Sequence, residues 1–133
     1  MTAPLSSAMH DFLSISVQEI SATHLVATMP VTERTCQPCG LLCGGASLAL
    51  AEICAGMYSQ HLLQGSDEMA LGIQVNGHHL HVAHLGEIVS CEITPLSCGK
   101  TLHVLQAKIS NASGTLVCEA TITNLIRPQP HDS

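Results

Sequence analysis

The chain has 133 residues and a formal net charge of −6, with four lysine and arginine residues against ten aspartate and glutamate residues. This length fits one domain with a core of its own, and so few cations exclude the basic surface on which nucleic-acid binding depends. The hydrophobic fraction is 46%, yet no apolar run approaches the roughly 20 residues of a membrane span. We therefore expect no membrane partner, and we expect the surplus apolar surface to lie between identical subunits.

The N-terminal segment and the cysteines indicate the compartment. Residues 1–7 have neither the basic region nor the long apolar stretch of a secretory signal. The seven cysteines are an odd number, which favours reduced thiols over a disulfide framework. We expect a cytoplasmic protein.

The predicted elements begin with a hairpin, followed by one long helix. Residues 13–18 alternate apolar and polar, and residues 24–29 follow after a turn, which predicts two paired strands. Residues 46–63 contain no proline and consist mostly of good helix formers, so they predict the helix. Its apolar residues lie almost all the way round, which is typical of a helix enclosed by other elements.

The second half of the chain is predicted to be β-structure. Its strands cover 69–82, 87–95, 101–110 and 115–126, separated by turn-forming residues. Five or six antiparallel strands with one enclosed helix form an α+β layer architecture. We predict a single domain over 1–126 and a disordered tail over 127–133, which contains two prolines.

Glu52 is the only acidic residue between Ala46 and Leu63. Its carboxylate is either buried, which is costly without compensation, directed into a pocket, or placed at a solvated helix edge. In a pocket, such an acid can be tuned as a nucleophile or a general base. Glu52 is therefore a candidate catalytic residue.

Gly44 and Gly45 precede the predicted helix and leave its first N–H groups open to a ligand oxygen, although they also suit an ordinary turn. Gly44 and Glu52 are eight residues apart, or about 12 Å along a helix axis. An oxyanion donor and an attacking group must both lie about 3 Å from one reacting centre. If both act on one carbonyl, a second, antiparallel copy of the helix must supply one of them across a two-fold axis.

The sequence also contains residues suited to a metal site and to a cysteine nucleophile. Cys36, Cys39, His79 and His81 are metal-ligand types, but the cysteine spacing fits no common zinc pattern. Cys43 at the helix start could be a nucleophile, because a helix N-terminus stabilises a thiolate. The sequence places no general base beside it, so a small packing side chain is the simpler role.

Several separated motifs, in order and in spacing, resemble one family over residues 13–126. They are Met29-Pro30-Val31, Thr35, Gln37-Pro38, Gly40-Leu41-Leu42, Gly44-Gly45-Ala46-Ser47, Ala51-Glu52, Gly72, Asn76, His79, Pro95-Leu96, Gly99, Val104 and Gln106. The chain is similar to the hot-dog-fold acyl-CoA thioesterases, in particular to the subgroup that acts on 1,4-dihydroxy-2-naphthoyl-CoA and 4-hydroxybenzoyl-CoA or proofreads enterobactin synthesis.

The resemblance implies a curved antiparallel sheet around the long helix, with two protomers joining their sheets and such dimers commonly pairing into a homotetramer. It implies an active site at the dimer interface. Glu52 would attack the thioester carbonyl or activate water, and the Gly44 N–H of the partner chain would polarise the carbonyl oxygen. Gln37 would help to hold the carbonyl or acyl group, His79 would lie near the acyl pocket or the attacking water, and Lys100 would contact a CoA phosphate.

Two residues depart from the family pattern. Cys43 stands where the family usually has histidine, and Gly56 stands where it commonly has serine or threonine one turn after the acid. Both changes remove hydrogen-bond partners near the reacting centre. Catalysis could be slower, rearranged around Cys43, or adapted to a different acyl group.

The leading hypothesis is hydrolysis of an acyl-CoA or acyl-carrier-protein thioester, which requires neither a metal nor a bound organic cofactor. The alternative, based on Cys43 and Gly56, is an accessory protein that binds acyl thioesters without turnover. A metal-binding protein is a third, weaker hypothesis. The sequence decides neither the acyl group nor the choice between CoA and carrier protein.

Overall fold

The computed structural model describes residues 7–130. Its helices and strands, in chain order, are α1 (Ala8–Leu13), β1 (Ser16–Ile20), β2 (Leu25–Pro30), α2 (Gly44–Leu62), β3 (Glu68–His79), β4 (Ile88–Cys98), β5 (Leu102–Ser110) and β6 (Leu116–Pro128). The six strands form one curved antiparallel sheet in the order β1-β2-β4-β5-β6-β3. The predicted α+β class, with one long helix against this sheet, is confirmed.

One side of α2 packs on the sheet. The residues buried there recur every three or four positions: Ser47, Leu50, Ala51, Cys54, Ala55, Tyr58 and Ser59. On the opposite side Leu48 and Ile53 are half-buried and Glu52 is exposed. Within one chain the sheet therefore covers only one side of α2, so the predicted enclosure on all sides is not complete.

The side chain of Leu48 on α2 packs against Gly77 of β3. An ideal Cβ on Gly77 would lie 2.8 Å from Leu48 Cδ2 and 3.3 Å from the Ala120 methyl group. A larger residue at this position would require the Leu48 side chain to shift.

The N-terminal prediction is wrong at its first residues. Ser7 caps α1, because its side chain accepts a hydrogen bond from the His10 N–H at 3.3 Å. Ser14 ends the helix in the left-handed conformation at φ 57°. Strand β1 therefore begins at Ser16 instead of Leu13.

The predicted disordered tail needs correction at its start. Arg127 and Pro128 belong to β6 and pair with Met69 and Glu68 of β3. Beyond them, the Gln129 N–H donates to the Asp67 carbonyl at 2.9 Å. Backbone pairing holds this part of the segment, and residues 131–133 lie outside the described part of the chain.

Two further findings concern the cysteines and the helices. All seven cysteines are free. Within residues 7–130, no helix is both long enough and apolar enough to cross a membrane.

Candidate active site

The start of α2 leaves backbone donors open. Cys43 is the N-cap residue, with extended dihedral angles and no hydrogen bond from its side chain to the helix. Its carbonyl accepts from Ala46 at 3.0 Å and Ser47 at 3.3 Å. The N–H groups of Gly44 and Gly45 bond to no residue in the described part of the chain. They lie at the positive end of the helix dipole and can bind an oxygen that carries negative charge.

Gln37, Gly44 and His79 line one cavity of about 280 Å³, here called the Gly44 cavity. The His79 ring lies directly over the helix start, since an ideal Cβ on Gly44 would be 2.7 Å from its Nε2. A tight turn presents Gln37: its N–H donates to the Leu41 carbonyl at 2.8 Å, and its carbonyl accepts from Gly40 at 3.0 Å. The structure thus brings together three residues that were predicted from separate motifs.

Glu52 lies in a second cavity of about 580 Å³, here called the Glu52 cavity. Its lining consists mostly of small and apolar side chains: Met9, Gly45, Leu48, Ala49, Glu52, Ile53, Gly56, Gly72 and Asn124. Glu52 is exposed within the single chain, so it is not a buried carboxylate. Instead it points into a pocket, and Gly56 lies in the wall without offering a side chain.

Gly44 and Glu52 do not meet within one chain. They belong to different cavities, and about 12 Å of helix separates them. Within the single chain, Gly44 therefore lines one cavity and Glu52 lines the other, which also includes Gly45.

Two other predicted site residues lie apart from both cavities, and a third lines one of them. Lys100 is exposed in the turn between β4 and β5, and the exposed Cys43 lines neither cavity. His81 lines the Gly44 cavity beside His79, with its Nδ1 hydrogen-bonded to the Leu116 carbonyl at 2.9 Å. Across residues 7–130, no three His, Cys, Asp or Glu side chains are grouped closely enough to hold a metal ion. The metal hypothesis therefore has no structural support.

The comparisons with known proteins identify the family. A family model described as "Thioesterase superfamily" matches residues 40–118, more than half of the chain. The chain belongs to the thioesterase superfamily.

The thioesterase is 37% identical to the 1,4-dihydroxy-2-naphthoyl-CoA hydrolase of Escherichia coli over 116 residues, which cover 86% of this chain and 83% of that one. A thioesterase from Haemophilus influenzae has a TM-score of 0.88 at 29% identity, over 96% of this chain and 89% of that one. A Staphylococcus aureus thioesterase with a glutamine replaced by alanine has a TM-score of 0.87 at 29% identity, over 92% and 100%. The same protein with a glutamate replaced by alanine has a TM-score of 0.86 at 30% identity, over 91% and 99%. The predicted family and enzyme class are confirmed.

The thioesterase also has a buried polar network that the sequence analysis missed. Asn124 and His103 are 1% and 4% exposed, and Ser59 is fully buried. The Asn124 Nδ2 donates to Ser59 Oγ at 2.9 Å and to the Ala55 carbonyl at 3.3 Å, and His103 Nδ1 lies 2.9 Å from Ser59 Oγ. The sequence does indicate that Asn124 is buried, because residues two apart on a strand share a face and Asn124 lies between Ile122 and Ile126 on the inward face of β6.

Because the network contains a buried histidine, we expect the folding stability to depend on pH. Burial lowers the pKa of His103 below its usual value of 6.5, and Glu68 raises it by a smaller amount. At pH values below 6.5, the unfolded chain therefore binds a proton at this residue more readily than the folded chain does. We expect the free energy of unfolding to fall as the pH decreases from about 7.5 to about 5, measured by urea denaturation.

The histidine variants isolate this effect. His103→Gln should show a weaker decline than the wild type over the same range, whereas His84→Gln, at an exposed position, should keep the wild-type decline. Equal slopes for His103→Gln and the wild type would contradict the assignment to His103.

Proposed function

We propose that this thioesterase hydrolyses an acyl-CoA thioester at an active site shared by two copies of the chain. Glu52 of one copy directs the attack, and the Gly44 N–H of the other polarises the thioester carbonyl. The observation that supports this proposal is the division of one chain into a Gly44 cavity and a Glu52 cavity. An antiparallel α2 from a second copy would place the two halves opposite each other, twice per dimer.

The Gly44 cavity has the chemistry for carbonyl polarisation. The open N–H of Gly44 at the positive end of α2 suits the oxyanion of a tetrahedral intermediate. Gln37 lines the same cavity and can hold the carbonyl or acyl group, while His79 closes the cavity above Gly44. Gly44 cannot be replaced by a residue with a Cβ unless the His79 ring moves.

Glu52 supplies the attack, either as a nucleophile or as a base that activates water. In the Staphylococcus aureus thioesterase, the glutamine and the glutamate replaced in the solved variants have the same spacing along their chain as Gln37 and Glu52 have in this one. That correspondence supports a joint role for Gln37 and Glu52.

The surface around α2 suits a second copy of the chain. The side of α2 that carries Glu52 is left open by the sheet, and β3 pairs only with β6 among the described strands. On β3, Leu71 and Ile73 are exposed. Joining two β3 edges would continue the sheet, cover apolar surface and bring the two α2 helices together. We further propose that such dimers pair into a homotetramer.

The proposed substrate class follows from the relatives. The Escherichia coli relative is a 1,4-dihydroxy-2-naphthoyl-CoA hydrolase, so a CoA thioester is the first substrate to test, and an acyl-carrier-protein thioester is the second. Lys100 is exposed near one end of the sheet and is the proposed contact for a CoA phosphate. The Glu52 cavity is lined mostly by small and apolar residues and is the proposed site for the acyl group, whether aliphatic or aromatic.

A thioester panel tests the proposed function. Purified protein is assayed with acyl-CoA esters of short, long and aromatic acyl groups and with acyl-carrier-protein esters, and free thiol release is recorded. Turnover of at least one member supports hydrolysis. Saturable binding of the esters without turnover of any of them would instead support an accessory protein that binds acyl thioesters without hydrolysing them.

Cys43 provides a separate prediction. Its side chain is exposed and lines neither cavity, so Cys43→Ser is expected to keep kcat within about twofold, since no covalent step depends on the thiol. Cys43→His is expected to raise kcat by restoring the hydrogen-bonding group that the family usually has here. Rates come from the same thiol-release assay, and a Cys43→Ser variant slowed by about two orders of magnitude would make Cys43 the nucleophile.

A further inference from the structure

We infer that Asn124 is a further catalytic residue, whose side-chain oxygen holds the attacking water against Glu52. This inference rests on the proposed function and deepens it, because it selects general-base catalysis over direct attack by the carboxylate. It is drawn from the hydrogen bonds behind Asn124 and from the open space in front of it.

The orientation of the Asn124 amide is fixed by its partners. Nδ2 lies 3.3 Å from the carbonyl oxygen of Ala55, which can only accept. The group facing that carbonyl must therefore be the NH₂, which also donates to Ser59 Oγ at 2.9 Å. Both amide hydrogens are used on the core side, and Oδ1 faces the Glu52 cavity as an acceptor.

Ser59 and His103 hold the amide in this orientation. Ser59 Oγ accepts from Asn124 and is hydrogen-bonded to His103 Nδ1 at 2.9 Å. Burial of His103 lowers the pKa of its imidazole and favours the neutral form, in which either ring nitrogen can carry the proton. Ser59 and His103 are thus positioning residues for Asn124, and they touch no reacting atom.

Two acceptor oxygens face the cavity beside Gly72. An ideal Cβ on Gly72 would lie 2.8 Å from Glu52 Oε1 and 3.6 Å from Asn124 Oδ1, and all three residues line the Glu52 cavity. A carboxylate and an amide oxygen both accept, so a water molecule in the cavity can bridge them by donating one hydrogen to each. Gly56, in the wall of the same cavity, has no side chain to compete for it.

In this mechanism the bound water hydrolyses the thioester. The water oxygen attacks the thioester carbonyl carbon, Glu52 takes one water proton, and Asn124 Oδ1 accepts a hydrogen bond from the other. The new C–O bond forms, the C–S bond of the tetrahedral intermediate breaks, and the leaving thiolate takes the proton from Glu52. The products are a carboxylic acid and a thiol.

The first test replaces Asn124 in the full-length protein and uses whichever acyl-CoA ester the wild type hydrolyses. Asn124→Leu should lower kcat by about 100-fold with KM within about threefold, because the water loses one of its two acceptors while the acyl cavity remains. Thr121→Val, at an exposed position on the same strand, is the matched control and should keep wild-type kcat. Thermal unfolding of both variants reports whether they fold.

Asn124→Asp keeps the shape of the side chain and gives a second readout. Glu52 carries the only titratable side chain among the described residues that line the cavity. A second carboxylate in the same cavity disfavours charge on both. The acid limb of the kcat/KM profile should therefore move to higher pH by about one unit or more, which a purely structural role for Asn124 would not produce.

An isotope experiment on the wild type completes the test. In a single turnover in H₂¹⁸O, the product acid should contain one ¹⁸O atom, and the peptide that contains Glu52 should contain none. Label in that peptide would overturn the inference, as would wild-type kcat and pH profile in both Asn124 variants. In those cases the proposed function still stands if the wild type turns over and Glu52→Gln does not. Absence of turnover by the wild type would instead reject the proposed function.

Discussion

Replacing Glu52 with glutamine is expected to lower kcat/KM for acyl-CoA hydrolysis by about 1000-fold, the usual scale for loss of a general base. Glutamine has nearly the same shape, but it cannot accept a proton from water. Because Glu52 is exposed in the chain and makes no hydrogen bond within its described part, the variant should unfold at nearly the wild-type temperature. Thiol release over a range of substrate concentrations measures the effect.

The matched control is Glu92→Gln, which changes an exposed glutamate on β4 that lines neither cavity. Its kcat/KM should stay within about twofold of wild type, as is usual for a surface substitution away from the site. Equal rates for Glu52→Gln and the wild type would remove Glu52 from the mechanism and leave the Gly44 cavity without an attacking partner.

The second large effect is recovery of activity when two inactive chains are combined. Glu52→Gln and Gly44→Ala chains, co-expressed with different affinity tags and purified as mixed dimers, should show about half of wild-type activity. Each chain supplies what the other lacks at one of the two sites. Separately, each homodimer should be impaired at both sites, because the methyl group that Gly44→Ala introduces would collide with His79 Nε2 and obstruct the polarising N–H.

The matched control places both substitutions in one chain. A mixed dimer of this double variant with a wild-type chain contains no intact shared site, so it should be nearly inactive. If the active site were instead built within one chain, the two outcomes would be reversed, with the double-variant hybrid half active and the complementing hybrid inactive.

The long helix and the last four strands were predictable from sequence. Helix α2 was predicted from a proline-free run of good helix formers and strands β3 to β6 from segments separated by turn-forming residues, and the structure places each within a few residues of its prediction. The end of β6 was missed because Pro128 suggested a break, whereas an end-of-strand position beside Glu68 tolerates proline. Helix α1 was missed because its evidence is a single capping serine, Ser7.

For the site, sequence reasoning found the residues that belong to contiguous motifs. The spacing of Gly44 and Glu52 on one helix showed that a single chain could not bring them together, since helix geometry follows from residue number alone. Asn124, Ser59 and His103 come from β6, α2 and β5, and only the folded chain brings them together. The position of a polar residue on an inward face predicts that it is buried, but it does not predict which residue will be its hydrogen-bond partner.

Helix α2 contains both Gly44 and Glu52, so in the proposed dimer each helix belongs to two active sites at once. The rise of the helix fixes the distance between these functions, and one inserted residue between them would turn Glu52 by about 100° relative to Gly44. An insertion or deletion between Gly44 and Glu52 would therefore disrupt both active sites of the proposed dimer. Side chains such as Met9 and Ile53 border the Glu52 cavity and are free of that restriction. New acyl specificities can arise by exchanging such bordering residues while the machinery for thioester cleavage stays constant.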